Sequence, residues 1–129
     1  MHTVGELMSR NLLTVEPGLS LAEAAARMND RGVGAALVLS GDHVSGILTE
    51  RDVLRAVGSG GVEGTRVAAW MTREPETVES DESTRQAAAL MIHGGFRHLP
   101  VLEGGKAVGI ISIRDLMKVV VDDESPRGV

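Results

Sequence analysis

The chain contains no cysteine and no tyrosine, and it has only one phenylalanine and one tryptophan among its 129 residues. The absence of cysteine excludes disulfides, thiolate nucleophiles and cysteine-rich zinc sites. The scarcity of aromatic side chains disfavours binding of single-stranded nucleic acid, which stacks its bases on aromatic rings. Because 43% of the residues are nevertheless hydrophobic, the core must be built from aliphatic side chains.

Positive charge is also scarce, and the formal net charge is −5. Proteins that bind nucleic acid normally present a basic face, so nucleic acid is not an expected partner. The first ten residues lack the apolar stretch of a signal peptide, and no run approaches the ~18 apolar residues of a membrane span. We therefore expect a cytoplasmic protein that binds neither nucleic acid nor a membrane.

The chain repeats itself at a spacing of 63 residues, since residues 4–57 align with residues 67–120 without a gap. About twenty of the aligned positions are identical, far more than chance would give. We assign residues 4–57 and 67–121 to two repeats. Residues 58–66 are rich in glycine and predict a flexible linker, and the polar residues 122–129 predict a disordered tail.

Each repeat shows the order β-α-β-β-α. In each copy a serine, Ser20 or Ser83, is followed three residues later by Glu or Gln. This is the pattern of a capping box and predicts the start of the first long helix of the copy. Glycines at 32 and 95 end these helices. This order predicts an α/β fold of the α+β type. Because one such repeat is only marginally stable alone, we expect the two repeats to pack about a pseudo-twofold axis, with two related clefts between them.

The repeated lines have a family resemblance. The gapless repeat, the GIxT/SxxD pattern at 46–52 and 109–115, and "RHLPV" at 97–101 together resemble a tandem pair of CBS domains, called a Bateman module. The resemblance implies a regulatory module, without a further cofactor, that binds an adenosine-containing ligand in the clefts. AMP, ADP or ATP are the leading ligands, with S-adenosylmethionine, NADH or a cyclic dinucleotide also possible. Members of the family commonly form dimers.

Two compatible interpretations apply to Thr49 with Asp52, and to Ser112 with Asp115. The first is a capping box, worth about 1 kcal/mol and needing no ligand. The second is a ligand site, because a helix N-terminus suits phosphate and a carboxylate can accept hydrogen bonds from ribose hydroxyls. The resemblance assigns this ribose role to the two aspartates. Capping leaves unexplained the glycine three residues before each hydroxyl residue, where a missing side chain could admit a ligand ring, at Gly46 and Gly109.

The resemblance also implies that each cleft takes its aspartate from one repeat and a base-binding loop from the other. In the first cleft, Arg97 and His98 can meet phosphates, Arg through its planar fork, while apolar side chains hold adenine. The residues predicted for the first cleft are Ile47, Thr49, Asp52, Thr72, Phe96, Arg97, His98, Leu99 and Pro100.

The second cleft lacks the cations of the first, because Gly34 and Ala35 occupy the positions of Arg97 and His98. We expect it to bind phosphates more weakly, to prefer a nucleoside-like ligand, or to be empty, although Arg31 lies close enough in sequence to compensate. The residues predicted for the second cleft are Ile110, Ser112, Asp115, Gly34 and Ala35.

Other features bear on function and assembly. No histidine pair has metal-ligand spacing and no nucleophile is activated, so neither a metal site nor an enzyme is expected. Arg51 and Arg114 are either surface arginines paired with acids or phosphate contacts at the cleft rim. Trp70 is predicted to pack between the halves. The apolar residues 116–121 are either buried within the monomer or form a dimer face, and we favour a homodimer.

These observations predict a sensor of adenine nucleotides. It would act in trans on an unidentified regulated protein, or through its oligomeric state, because a ligand favours the arrangement that binds it better. The alternative is a protein-interaction or dimerisation scaffold with non-binding clefts, which predicts no thermal shift with any nucleotide.

Overall fold

A computed structural model describes residues 2–123, with side chains described as far as Val119. In chain order the elements are α1 (Val4–Leu7), β1 (Thr14–Val15), α2 (Leu21–Arg31), β2 (Ala35–Ser40), β3 (His43–Thr49), α3 (Glu50–Gly58), α4 (Val67–Trp70), β4 (Thr72–Arg73), β5 (Val78–Glu79), α5 (Thr84–Gly94), β6 (His98–Glu103), β7 (Lys106–Ser112) and α6 (Ile113–Asp123). Both copies therefore contain the predicted helices and strand pair, and the α+β class is confirmed. Because α6 runs to Asp123, it includes the first two residues of the predicted tail, and residues 124–129 lie outside the described residues.

The chain divides into two compact units. The central unit is Asn11–Pro75, and the terminal unit joins the residues before Asn11 to those after Pro75. The sheet of the central unit has the order β1-β2-β3-β4, and that of the terminal unit has the order β5-β6-β7. In each unit the short first strand runs parallel to the second, and the next two strands form an antiparallel hairpin.

Each unit is completed by the segment that begins the other repeat. Strand β4 opens the second repeat, yet it pairs with β3 of the central unit, with Thr72 opposite Ile47. Helix α1 opens the first repeat, yet the residue that follows it, Ser9, exchanges two backbone hydrogen bonds with Ile110 of the terminal unit, at 2.8 and 3.1 Å. The two folded units therefore do not coincide with the two copies in the sequence.

Helices α2 and α5 begin and end where the local sequence predicts. The hydroxyl oxygens of Ser20 and Ser83 each accept a hydrogen bond of 3.1 Å from the backbone N–H three residues on, as predicted for N-caps. The box itself does not close at Ser20, because the Glu23 carboxylate accepts from Arg27 Nε at 3.2 Å instead. Gly32 and Gly95 end their helices in the left-handed conformation, with φ of 66° and 72°.

Each unit has its own aliphatic core beneath its sheet, as the shortage of aromatic residues required. In both cores, a buried alanine and a buried methionine pack against branched residues of the hairpin. These two residues come from α2 in the central unit and from α5 in the terminal unit. The buried residues of the central core are Leu13, Val15, Leu21, Ala24, Met28, Ala36, Val38, Leu48, Ala56 and Val67. Those of the terminal core are Val4, Met8, Val78, Ala87, Met91, Leu99, Val101 and Ile111.

Candidate functional site

The junction between β3 and α3 in the central unit holds a closed capping box. Asp52 Oδ2 accepts hydrogen bonds from Thr49 N at 2.8 Å and from Thr49 Oγ1 at 3.1 Å. In return, Asp52 N donates to Thr49 Oγ1 at 3.4 Å. The capping interpretation of this motif is therefore confirmed.

The junction between β7 and α6 in the terminal unit repeats this arrangement. Asp115 Oδ2 accepts from Ser112 N at 2.8 Å and from Ser112 Oγ at 3.0 Å. Asp115 N donates to Ser112 Oγ at 3.1 Å, so the reciprocal pair is complete. The same local sequence pattern has thus produced the same carboxylate geometry in both units.

Capping uses only one oxygen of each carboxylate, although both carboxylates are buried. Asp52 is 6% exposed and Asp115 is 9% exposed, and they are the only buried polar residues among those whose side chains are described. The second oxygen of each carboxylate accepts a hydrogen bond from a basic side chain one turn further along its helix. Arg55 Nη1 donates to Asp52 Oδ1 at 3.1 Å, and Lys118 Nζ donates to Asp115 Oδ1 at 3.1 Å. Burial of a charge is costly unless it is paired. Each unit therefore presents an oriented carboxylate, and among the side chains described as far as Val119 its outer oxygen bonds only to a solvent-exposed cation.

In the central unit, other predicted site residues lie close to Thr49 and Asp52 in the sheet. Ala35 lies opposite Thr49, and Ile47 lies opposite Thr72. The Gly34 carbonyl accepts a hydrogen bond of 2.9 Å from Glu50 N. The structure thus brings together, at one end of this sheet, the predicted site residues Gly34, Ala35, Ile47, Thr49, Asp52 and Thr72.

The Glu50 side chain adds an acid to this group that the sequence reasoning missed. A Cβ placed on Gly34 would lie 3.3 Å from Glu50 Oε1. The position that corresponds to Arg97 in the repeat is therefore flanked by negative charge. Arg31, which could have compensated, donates instead to Asn11 Oδ1 and to the Leu12 carbonyl at 3.1–3.3 Å. Both contacts disfavour an anion near Gly34.

In the terminal unit, the basic loop lies beside the second junction. His98 lies opposite Ser112 in the sheet, and the Arg97 carbonyl accepts from Ile113 N at 2.9 Å. The Arg97 side chain is exposed. The structure thus brings together in this unit the predicted site residues Phe96, Arg97, His98, Leu99, Pro100, Ile110, Ser112 and Asp115.

Three apolar members of this group are committed to the packing of the terminal unit to different degrees. Phe96 is partly buried against the terminal core and lies over Gly94, where a Cβ would clash with its ring. Leu99 is fully buried in the same core, and Pro100 is also fully buried. Leu99 therefore belongs to the frame that carries Arg97 and His98 rather than to an exposed wall.

The structure gives a different reason for Gly46 and Gly109 than space for a ligand ring. A Cβ on Gly46 would lie 2.9 Å from the Thr72 carbonyl oxygen and 2.5 Å from Met71 Sδ. A Cβ on Gly109 would lie 2.6 Å from the Ser9 carbonyl oxygen. The segment from the other repeat passes directly over both glycines, so close packing explains them without a ligand ring.

The contacts of three further residues bear on the sequence predictions. Trp70 belongs to the second repeat and packs against the central core, which is built mainly from the first repeat, so it lies between the two repeats as predicted. Its Nε1 donates to Thr65 Oγ1 at 3.3 Å. Arg51 and Arg114 are exposed and form no ion pair with any side chain that the structure describes, so pairing with an acid does not explain them.

Two elements of the junctions escaped the sequence reasoning. Ser9 pairs with Ile110 as Thr72 pairs with Ile47, and the repeat alignment already placed Ser9 opposite Thr72. Arg55 and Lys118 lie three residues after the two aspartates, the spacing at which helical side chains meet. Within residues 2–123, no helix is long and apolar enough to cross a membrane.

The sequence matches the family described as CBS domain over residues 4–59 and 67–122. A curated relative, the uncharacterized 17.7 kDa protein in the bps2 3' region of Acidianus ambivalens, is 35% identical over 121 residues, which are 92% of this chain and 73% of that protein. Other curated relatives are longer, and the chain spans 62% of one and 22% of another.

Solved structures give the same family and the same fold. A protein with CBS domains from Burkholderia ambifaria is 39% identical, with a TM-score of 0.88 over 97% of this chain and 98% of that one. The protein CBSX2, whose crystal structure is a complex with AMP, is 25% identical, with a TM-score of 0.80 over 95% of this chain and 98% of that one.

Proposed function

The chain belongs to the CBS-domain family and carries two such domains, and from this premise we propose that it is a regulatory module that binds an adenosine-containing ligand. Its role is binding rather than catalysis. Ligand binding changes the activity of a partner protein in trans, or the oligomeric state of the module, by favouring the conformation with the higher affinity. AMP is the first candidate ligand, because the crystal structure of the related protein CBSX2 is of its complex with AMP.

The observation that supports this proposal most is the pair of buried carboxylates. Asp52 and Asp115 are oriented by reciprocal capping bonds, and the outer oxygen of each accepts from a solvent-exposed cation. A cap alone needs neither the burial nor the second oxygen. We propose that each outer oxygen accepts hydrogen bonds from ribose hydroxyls, with Thr49 or Ser112 beside it.

The two junctions are proposed to differ in their preference for phosphate. We propose that Arg97 and His98 meet the phosphates of a bound nucleotide, as the resemblance predicts. The residues at the corresponding positions in the central unit are Gly34 and Ala35, and the Glu50 carboxylate lies next to Gly34. Repulsion between this carboxylate and a phosphate supports the prediction that the second site binds nucleotides more weakly or takes a nucleoside.

Thermal unfolding against a ligand panel tests the proposed function. AMP, ADP, ATP, S-adenosylmethionine, NADH and a cyclic dinucleotide are each added to the purified protein. A ligand at about 100 times its Kd contributes about 2.7 kcal/mol, which raises Tm by several degrees for a chain of this size. The double variant Asp52→Ala/Asp115→Ala should lose the shift. Unchanged Tm with every ligand would favour the alternative, a scaffold whose clefts bind none of them.

We also propose a homodimer formed through the last helix of each repeat. Leu54 on α3 is 69% exposed and Met117, at the equivalent position on α6, is 51% exposed. Val57 and Ile113 extend these apolar faces, whereas the side chains of Val120 and Val121 lie outside the described ones. Apolar surface of this kind at matching positions suits a symmetric interface.

Charge substitutions on these faces test the dimer. Wild-type protein should elute with the mass of a dimer in size-exclusion chromatography with light scattering. Leu54→Glu or Met117→Glu should shift the mass towards a monomer, because the interface would then have to bury an unpaired carboxylate. The control is Ile92→Glu, which adds the same charge at an exposed apolar residue of α5. A monomeric wild type, or equal dissociation in all three variants, would contradict this interface.

A further inference from the structure

We propose that Arg55 is the residue that a bound ribose displaces, and that Trp70 senses its release. This inference rests on the proposed function, because it concerns how the Asp52 carboxylate becomes available to the ligand. In the structure, Arg55 Nη1 donates to Asp52 Oδ1 at 3.1 Å, and Arg55 Cζ lies 5.8 Å from the centre of the Trp70 ring. One guanidinium therefore contacts both the predicted ligand-binding acid and the chain's single tryptophan.

The acceptor capacity of Asp52 makes a displacement necessary. An ionised carboxylate offers about four lone-pair positions. Thr49 N and Thr49 Oγ1 occupy two of them on Oδ2, and Arg55 occupies one on Oδ1. One position remains, whereas the two hydroxyls of a ribose need two. A ribose that bonds through both hydroxyls must therefore replace one of the three donors.

Arg55 is the donor that leaves at the lowest cost. The Thr49 N–H is fixed by the backbone at the start of α3, and Thr49 Oγ1 is held by its bond from Asp52 N. The Arg55 side chain is 62% exposed, so water can solvate its guanidinium as soon as it leaves the carboxylate. Although Asp52 is buried, the pair is solvated at its Arg55 end, so we compare it with exposed ion pairs, which contribute at most about 1 kcal/mol. The ribose therefore replaces Arg55, and the capping bonds stay intact.

Trp70 is positioned to report this exchange. Its indole is anchored by the Nε1 hydrogen bond to Thr65 Oγ1 and by packing against the central core, so the ring stays in place while the guanidinium moves. A cation over the ring face interacts with the indole π-system, and its loss changes the surroundings of the fluorophore. The terminal unit has no equivalent reporter, because the repeat places Leu7 at the position of Trp70 and Lys118 at the position of Arg55.

Calorimetric titration of AMP and 2'-deoxy-AMP tests the displacement. Removing the competitor in Arg55→Ala should tighten AMP binding about two- to fivefold, the factor that corresponds to an exposed ion pair. The affinity for 2'-deoxy-AMP should stay unchanged, because its one ribose hydroxyl needs only the position that is already open. Arg55→Lys, which copies the residue of the second repeat, keeps a competing charge and should restore the wild-type affinity for AMP.

Tryptophan emission tests the reporter, both with and without a ligand. Saturation with AMP should move the emission of wild-type protein towards that of Arg55→Ala. Asp52→Asn, which weakens the attraction that holds Arg55, should move it in the same direction without any ligand. The matched control is Asp115→Asn, which releases Lys118 in the unit without tryptophan and should leave the emission unchanged.

The outcomes separate this inference from the function on which it rests. If calorimetry detects no AMP binding, the proposed function is wrong for this ligand and the inference fails with it. If AMP binds but Arg55→Ala leaves its affinity and the emission response unchanged, the inference alone is wrong. Weaker AMP binding in Arg55→Ala would also overturn it, because Arg55 would then be a phosphate contact rather than a competitor.

Discussion

Replacing Asp52 by alanine should lower the affinity for AMP about ten- to a hundredfold. The substitution removes the carboxylate that we propose accepts hydrogen bonds from the ribose, and bonds to charged groups contribute about 1.5–3 kcal/mol. Each 1.4 kcal/mol corresponds to about a tenfold change in Kd. Isothermal titration calorimetry of the wild type and the variant measures this difference directly.

Two controls separate loss of the site from loss of stability. Asp52→Ala also removes the two bonds that Thr49 donates to the carboxylate in the capping box, and we expect a cost of about 1 kcal/mol. Ser20→Ala removes a cap in the same unit and leaves the junction untouched, so it should lower stability to a similar extent without weakening AMP binding. Asp115→Ala tests the assignment of AMP to the Asp52 carboxylate. If Asp115→Ala abolished AMP binding and Asp52→Ala preserved it, the two sites would be assigned in reverse.

Replacing Gly109 by alanine should destabilise the protein by about 1–3 kcal/mol, the usual cost of adding a methyl group to a packed region. The new Cβ would lie 2.6 Å from the Ser9 carbonyl oxygen and 2.8 Å from Met8 Sδ. The methionine can move, but the carbonyl belongs to the pair of backbone hydrogen bonds that joins Ser9 to Ile110. The substitution must therefore loosen the segment that completes the terminal unit.

Urea denaturation measures this loss, with Gly18→Ala as the matched control. No atom lies within 4 Å of a Cβ on Gly18, so that variant should stay within about 0.5 kcal/mol of the wild type. The comparison also distinguishes the two explanations of the repeated glycine. If the glycine served a ligand ring, Gly109→Ala would weaken ligand binding while its stability matched that of Gly18→Ala, contrary to our expectation.

The helices, hairpins and N-caps were predictable from the sequence because their signals act over a few residues. Ser20 and Ser83 cap helices through N–H groups three positions away, and Gly32 ends a helix through its own φ. The Thr49–Asp52 motif orients its carboxylate by the same short-range bonds. The gapless repeat doubles each signal, which is why the sequence alone predicts the fold class and indicates the two candidate aspartates.

Side-chain partners that are distant in the sequence were not predictable. The sequence allowed Arg31 to compensate for the missing cations of the second cleft, but it bonds to two residues just before β1. Trp70 packs between the repeats as expected, but the position of Arg55 over its ring was not predicted. An exposed arginine has several acids, carbonyls and rings within reach, and only the packed backbone selects among them.

The amino-acid sequence by itself determined two copies of one α+β pattern and, in each copy, a carboxylate held at a strand–helix junction. Only the tertiary structure decided that a segment of the other repeat pairs with the edge of each sheet. Strand β4 pairs with β3 in the central unit, and Ser9 pairs with Ile110 in the terminal unit. The physical reason is the symmetry of the repeat. The two segments have a similar pattern that does not by itself select a sheet edge, so the choice depends on chain connectivity and on close packing over Gly46 and Gly109.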